Sequence, residues 1–340
     1  VGEYDTVRGQ DAVRERDAVR GQDAVRGRDA VRGQDAVRGQ DAVRGQDAVR
    51  ERDAVRGQDA VRGRDRAGGY NPLAEGLRAY RLIAGMWIRS TLTYRLSFAL
   101  TAFGGLVVTG LDFVTIMLMF SRVDVLGGYS LPEVAFLYGL SATSFGIADL
   151  VMGSAARLGT RVRDGTLDTL LVRPAPVLAQ VAADRFALRR VGRFGQGALV
   201  LGYALVASDI AWTPVKVLMV PGMLVCGGVI FCAVFVVGAA FQFVAQDASE
   251  VQHAFTYGGQ TLLQYPPTVF GKELVRGVTF MFPLAFVNWV PAAYVLGRTY
   301  PLDGLPEGAA FAPPLVAAVC CAAAGLAWRA GLRSYRSTGS

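Results

Sequence analysis

Two carboxylates stand where water is scarce. Asp112 and Asp149 each lie inside a long apolar run, and an ionisable side chain at membrane depth is a functional candidate by default. The chemistry open to them is proton relay or the lining of a polar pathway. At about 1.5 Å of rise per residue the two differ in depth by roughly 12 Å, which argues against a shared proton. Satisfaction of each by a Ser, Thr or backbone partner is the plainer structural reading. The other reactive side chains do not converge on a site. Cys226, Cys232, Cys320 and Cys321 all fall in apolar runs without zinc-type spacing, which reads as small apolar filler. His253 is the only histidine, so no metal set is expected. No G-x-x-x-x-G-K-[ST] run occurs, and Lys272 follows Gly271 but precedes Glu273. A chain without such a phosphate-cradling loop is not expected to hydrolyse ATP.

The elements that carry these residues divide the 340-residue chain in two. Residues 1–68 hold 15 Arg and 14 acids, and the remainder holds 20 Lys plus Arg and 14 acids, adding up to the net charge of +7. From Asp11 the hexapeptide DAVRGQ recurs, placing Asp every six residues to Asp65. Six positions at about 100° advance 240° beyond one full turn, so Val13, Val19 and Val25 share no helical face. One Val per charged repeat cannot offset chain entropy, and disorder is the expectation for 1–68. The first Met is Met86, which also admits a later translation start. A segment near charge balance has no basic footprint for nucleic acid.

Residues 69–340 are too apolar for a water-soluble domain. Runs of about 20 apolar residues predict six spans, near 96–120, 133–156, 194–211, 217–244, 275–296 and 312–330. An all-α polytopic membrane protein follows. Arg78, Arg81, Arg89 and Arg95 precede the first span, and eight Arg from Arg157 to Arg193 separate the second from the third. These mark the cytoplasmic side, and both termini are then cytoplasmic. Arg outnumbers Lys 33 to 2, a codon signature of GC-rich bacterial DNA, so a bacterial plasma membrane is the expected setting.

Two amphipathic pieces flank these spans. Over 73–89, Leu73, Leu77, Tyr80, Ala84 and Trp87 share one helical face and Glu75, Arg78, Arg81 and Arg89 the other, which predicts a helix along the inner leaflet, in contact with lipid. Between spans two and three, Asp164 can cap a short helix whose Leu167, Leu170 and Leu171 form one apolar edge, ended by Arg173-Pro174. That shape fits a groove on another protein; a simple interfacial connector fits it equally.

The element G-x-L-D-x-L-L-x-R-P, here Gly165, Leu167, Asp168, Leu170, Leu171, Arg173 and Pro174, resembles the permeases of type-2 ABC exporters. Further matches are Gln180, Arg189-Arg190, Gly192-Arg193, Gln196-Gly197, Tyr265-Pro266 and the run FPLAFVNWVPAAYVLGR ending at Arg298. The resemblance covers roughly 73–335. It implies that 164–172 is a coupling helix docking on a cytoplasmic ATPase, with Asp168 and Arg173 at its rim, and that 73–89 is the connecting helix. It implies a homodimer or heterodimer of permeases, with ATP and Mg held by the partner ATPase and no cofactor in this chain. Exporters of this class also place short re-entrant helices before the last span, and Tyr265-Pro266-Pro267 is a natural break, so 254–296 is expected either as a full span or as re-entrant. A membrane scaffold or channel without an ATPase is the rival reading. An intramembrane enzyme would need a paired acid and base that Asp112 and Asp149 do not supply. Smooth apolar pathways leave no substrate signature.

Overall fold

The computed structural model describes residues 72–93, 95–184, 190–245 and 249–335; the repeat segment 1–68 lies outside the described residues. Those described are helical, with no strand among them beyond the isolated pairing of Leu126 with Tyr129. The chain opens with α1 (Pro72–Thr93) and α2 (Arg95–Phe120), followed by α3 (Leu131–Met152). Ser130 starts α3 by donating through its backbone N–H and its hydroxyl to Glu133 Oε2 at 2.8 and 3.0 Å, which satisfies helix-end donors. The helical path continues through Gly153–Arg157 into α4 (Leu158–Arg163), 33 residues in all from Leu131. Next come α5 (Asp168–Leu171), α6 (Val177–Ala183), α7 (Val191–Ala207) and α8 (Pro214–Phe241).

Among the described residues, four helices are long and apolar enough to cross a membrane: α2, α3 with its extension, α8, and the last, Pro313–Ser334. They match four of the six predicted spans. The span predicted at 194–211 is α7, which has 17 residues, because the chain leaves the helix in extended conformation at Ser208. It is about 26 Å long, just under the roughly 30 Å of a hydrocarbon core.

Beyond α8, Ser249–His253 (α9), a π-helical turn at Ala254–Gly258 and Gly259–Leu263 (α10) run on as one helix. The predicted straight span at 275–296 is not present. Lys272–Arg276 (α11) with its continuation to Met281 meets the 284–296 segment, which contains α12 (Trp289–Leu296), at 84°. Pro283 has no N–H to give, and it holds Phe282 in extended backbone, φ −122° and ψ 90°, so the helix breaks there. Both ends of this bent pair are tied to the same end of α3. Thr268 Oγ1 donates to Gly127 O at 2.7 Å in the loop before α3, and Arg298 donates to both carboxylate oxygens of Glu133 at 2.8 and 2.7 Å. The expected break at Tyr265-Pro266-Pro267 is there too, since α10 stops at Leu263. The final helix is α13 (Pro313–Ser334).

Alpha-helix α3 is the axis of the core. Its Phe136, Leu137, Tyr138, Leu140 and Phe145 are buried with Phe231 and Phe235 of α8 and Trp289 and Val290 of α12. Antiparallel α7 approaches so closely that a methyl group at Gly139, Gly146 or Gly197 would lie 2.5, 2.9 and 2.7 Å from backbone atoms of Leu201, Phe194 and Thr143. No real side chain tolerates that, so the packing depends on these glycines. By contrast α2 leaves nearly all its apolar surface uncovered by its own chain, with Leu96, Leu100, Phe103, Val108 and Leu118 exposed.

Candidate functional site

The loop after α4 is built from its turn upward. Asp164 does not cap the following helix; it closes α4, its N–H reaching Thr160 O at 2.9 Å. Gly165 then takes φ +65°, a left-handed conformation that costs other residues about 1–2 kcal/mol, and turns the chain into α5. The predicted helix over 164–172 is this single turn, Asp168–Leu171.

Its apolar edge divides. Leu167 is 0% and Leu170 5% exposed, packed in a second buried cluster with Leu158, Val162, Val236, Phe243 and Trp328. Leu171 and Val172 are exposed, at 39% and 86%, and Arg173 and Pro174 are exposed beside them. Two of the three leucines read from the sequence as one edge therefore hold the loop to its own chain, and Val172 joins Leu171 at the surface.

Polar groups fix the same loop. Asp168, expected at the rim, accepts a hydrogen bond from Tyr335 Oη at 2.8 Å. Burial, and next the bond to Asp168, push the Tyr335 phenol above its ordinary pKa. Buried Gln180 donates to Leu170 O at 3.0 Å and Ala175 O at 2.8 Å, holding the two ends of the turn together. Deeper in, fully buried Gln242 at the end of α8 bonds Gly159 N–H, Ala156 O and Gln252. Arg161 pairs with Asp184, bracing α4 against the end of α6.

The connecting-helix residues meet this region from the other side. Tyr80 Oη donates to Val151 O at 3.2 Å, and burial pushes its pKa up to about 12. A methyl group at Gly76 would touch the Pro176 ring at 3.6 Å, so α1 lies on the start of α6. Ala84 is buried, whereas Leu77, Arg78 and Arg81 are exposed and Trp87 is half-buried. Leu73 lies on α1. The predicted apolar face is thus shared: Ala84 meets protein, and Leu77 points away from the chain.

Asp112 and Asp149 are brought to opposite fates. Asp112 is exposed on α2. Asp149 is 2% exposed and pairs with Arg190 Nε at 3.1 Å and Arg193 Nη1 at 3.4 Å. Two guanidinium groups at the start of α7 thus stand beside this carboxylate. Arg190 also donates to Asp149 O at 3.1 Å, and Arg193 lies over the rings of Phe145 and Tyr257 at 5.5 and 5.1 Å. Gly153 makes room, because a methyl group there would strike Asp149 Oδ1 and sit 2.8 Å from Arg190 Cζ. A cavity of about 360 Å³ opens beside the pair, lined also by Arg157, His253 and Tyr257. Among the described residues no three His, Cys, Asp or Glu could hold a metal ion.

A family model described as "ABC-2 family transporter protein" matches residues 106–339. The chain belongs to the ABC-2 transporter family. No curated protein and no solved structure gives a significant match. Membership makes this ABC-2 protein a multi-pass membrane transport component, not itself a catalyst. The match begins inside α2 and leaves α1 outside it. Several motif residues of the ABC-2 chain have visible structural tasks. Asn288 Nδ2 donates to Leu137 O and Leu263 O, both at 2.8 Å; Trp289 Nε1 donates to Tyr265 O at 2.9 Å; Gln196 Nε2 donates to Tyr138 Oη at 2.8 Å. These bonds fasten the bent pair and α7 to α3. The residues missed in the sequence are Gln242, Gln252, Trp328 and Tyr335, whose partners lie elsewhere in the chain. The Arg190 and Arg193 pairing had a local signal, since one carboxylate in an apolar helix demands a counter-charge.

Proposed function

We propose that the chain is the permease of an ATP-driven exporter, working as a dimer, with ATP and Mg bound by a separate ATPase chain. The observation that carries this reading is the loop 164–175: its root is packed and hydrogen-bonded from four sides, and its tip, Leu171 to Pro174, is exposed. An element that receives force from a partner needs a stiff root and an accessible tip, and a passive connector needs neither. In this reading α5 and its flanks form the coupling element, and Val172 with Leu171 supplies the apolar contact.

The topology that suits this role has six crossings. Helix 249–263 takes the place of 275–296 as the fifth, because it runs from buried Gln252 beside Gln242 to Gln260, whose carbonyl accepts from Ser141 at 3.0 Å. The bent pair is then re-entrant from the outer side, and Lys272 and Arg276 join Arg122, Lys216 and Arg298 outside. Fifteen of the 20 Lys and Arg after residue 68 remain inside, keeping both termini cytoplasmic. Helix α1 lies along the inner leaflet. The uncovered apolar surface of α2 is the natural face for lipid or a second permease.

The test is affinity purification of the tagged chain from a bacterial membrane. An ABC ATPase is expected to co-purify with the unaltered chain and to be lost from Val172→Asp, while phosphate release is absent from the permease alone. If the purified chain moves cargo in vesicles without any ATPase, a channel replaces this reading.

A further inference from the structure

We propose that the cavity beside Asp149 binds a phosphate-bearing anion at the level of the cytoplasmic headgroups. Four elements wall it: α2 through Thr101 and Gly105, the end of α3 with Gly153–Arg157, the start of α7, and the 249–258 helix through His253 and Tyr257. Its volume of about 360 Å³ falls within the roughly 300–1,000 Å³ of small-ligand sites. Three guanidinium groups, Arg157, Arg190 and Arg193, line it against the single carboxylate of Asp149, leaving two positive charges unmatched within the lining.

The arrangement is fixed before any ligand arrives. Asp149 engages Arg190 through Nε and Arg193 through one Nη1, so that carboxylate does not engage Nη2 of either guanidinium. Ser154 and the Asp149 carbonyl hold Arg190, and the Phe145 and Tyr257 rings hold Arg193. Arg157 is exposed and has no ion-pair partner among the described residues. A buried carboxylate that spreads two guanidinium groups side by side builds a receptor for a tetrahedral oxyanion, since the Nη2 group of each remains to donate to it and exposed Arg157 can add its own fork. Preorganisation of this kind lowers the cost of binding. The ligand chemistry is a phosphate oxyanion; a lipid headgroup and free phosphate are its two sources. The inference rests on the topology proposed above, which is what places the Asp149 end of α3 at the inner leaflet.

Binding is measured on the purified full chain in uncharged detergent, by native mass spectrometry and titration calorimetry. The probes are dioctanoyl phosphatidylglycerol, dioctanoyl phosphatidylcholine and inorganic phosphate. Saturable binding of one phosphatidylglycerol per chain is expected, stronger than phosphatidylcholine and weakened by salt. Arg193→Gln is expected to weaken it about tenfold or more and Arg157→Gln about three- to tenfold, as fits the loss of a charge-assisted hydrogen bond at a half-buried and an exposed site. Arg157 lies at the surface, so its variant folds and keeps the test open even where Arg193→Gln disturbs packing. Phosphate that binds alone and displaces phosphatidylglycerol supports the site with a soluble source; phosphatidylglycerol binding that phosphate does not displace supports the lipid source. Absence of saturable binding for both anions, or binding unchanged in either variant, overturns the inference. No ATPase enters the assay, so failure to capture an ATPase leaves this result standing and sinks only the coupling proposal.

Discussion

Replacing Leu167 with Ala separates the root of the 164–175 loop from its tip. Leu167 is fully buried against Leu158, Val162 and Trp328, and truncating such a side chain costs about 2–5 kcal/mol of transfer and cavity energy. The residues it anchors are local to the loop, so that cost falls on the equilibrium between the docked loop and a released one rather than on the spans. At about 1.4 kcal/mol per tenfold change, the released population rises roughly 30- to 4,000-fold. Trypsin reads this population at exposed Arg163, because cleavage tracks the open form when reclosing is fast; Arg173 is shielded from trypsin by Pro174. The expected result is cleavage after Arg163 accelerated by at least tenfold in Leu167→Ala. Val172→Asp changes a residue that is 86% exposed, and it is expected to alter cleavage less than twofold while abolishing ATPase capture. Equal cleavage of Leu167→Ala and the unaltered chain would refute the packing argument. Full ATPase capture by Val172→Asp would show that the tip is only a connector.

Other expectations follow from single interactions. Arg190→Met should leave Asp149 with Arg193 as its remaining counter-charge and lower stability by up to about 3–5 kcal/mol, whereas the triple change Asp149→Leu with Arg190→Met and Arg193→Met should recover most of that loss, since a buried ion cluster is dearer to break than to replace; thermal unfolding in detergent decides, and a triple variant no better than the single one sinks it. Trp289→Phe removes the donor to Tyr265 O and should cost about 1–3 kcal/mol, read as a lowered midpoint of the same transition. Deleting residues 1–68 should leave membrane insertion and ATPase capture intact, because one Val per charged repeat presents no face to bury; loss of either by fractionation and pull-down would contradict that.

The long spans were readable from composition because burial in lipid needs only length and low charge. What composition cannot register is direction. The 275–296 segment is apolar enough to cross, yet it bends by 84° at Pro283, and the bonds that tie Thr268 and Arg298 to one end of α3 span 141 and 165 residues. The loop leucines show the same gap at short range. Their spacing gave the apolar edge, but over one helical turn it could not tell a face turned to a partner from one turned to the chain's own Trp328. Asp149 was singled out by its rarity, and its partners were in plain view as basic loop residues; what was missing was the antiparallel packing of α3 on α7 that sets them side by side.

The bent pair also carries a consequence for biosynthesis. In the re-entrant topology proposed above it has no spanning helix of its own to settle into, and its fasteners, Asn288 to Leu137 O and Arg298 to Glu133, are owned by α3. Chain order serves this well. Residues 131–152 leave the ribosome more than a hundred residues before 264–298, so in that topology the template is in the bilayer when the bent pair emerges and needs only to dock. A circular rearrangement that delivered 264–298 first would present an apolar, unbuttressed hairpin to the insertion machinery, with nothing in place to tell it to turn back.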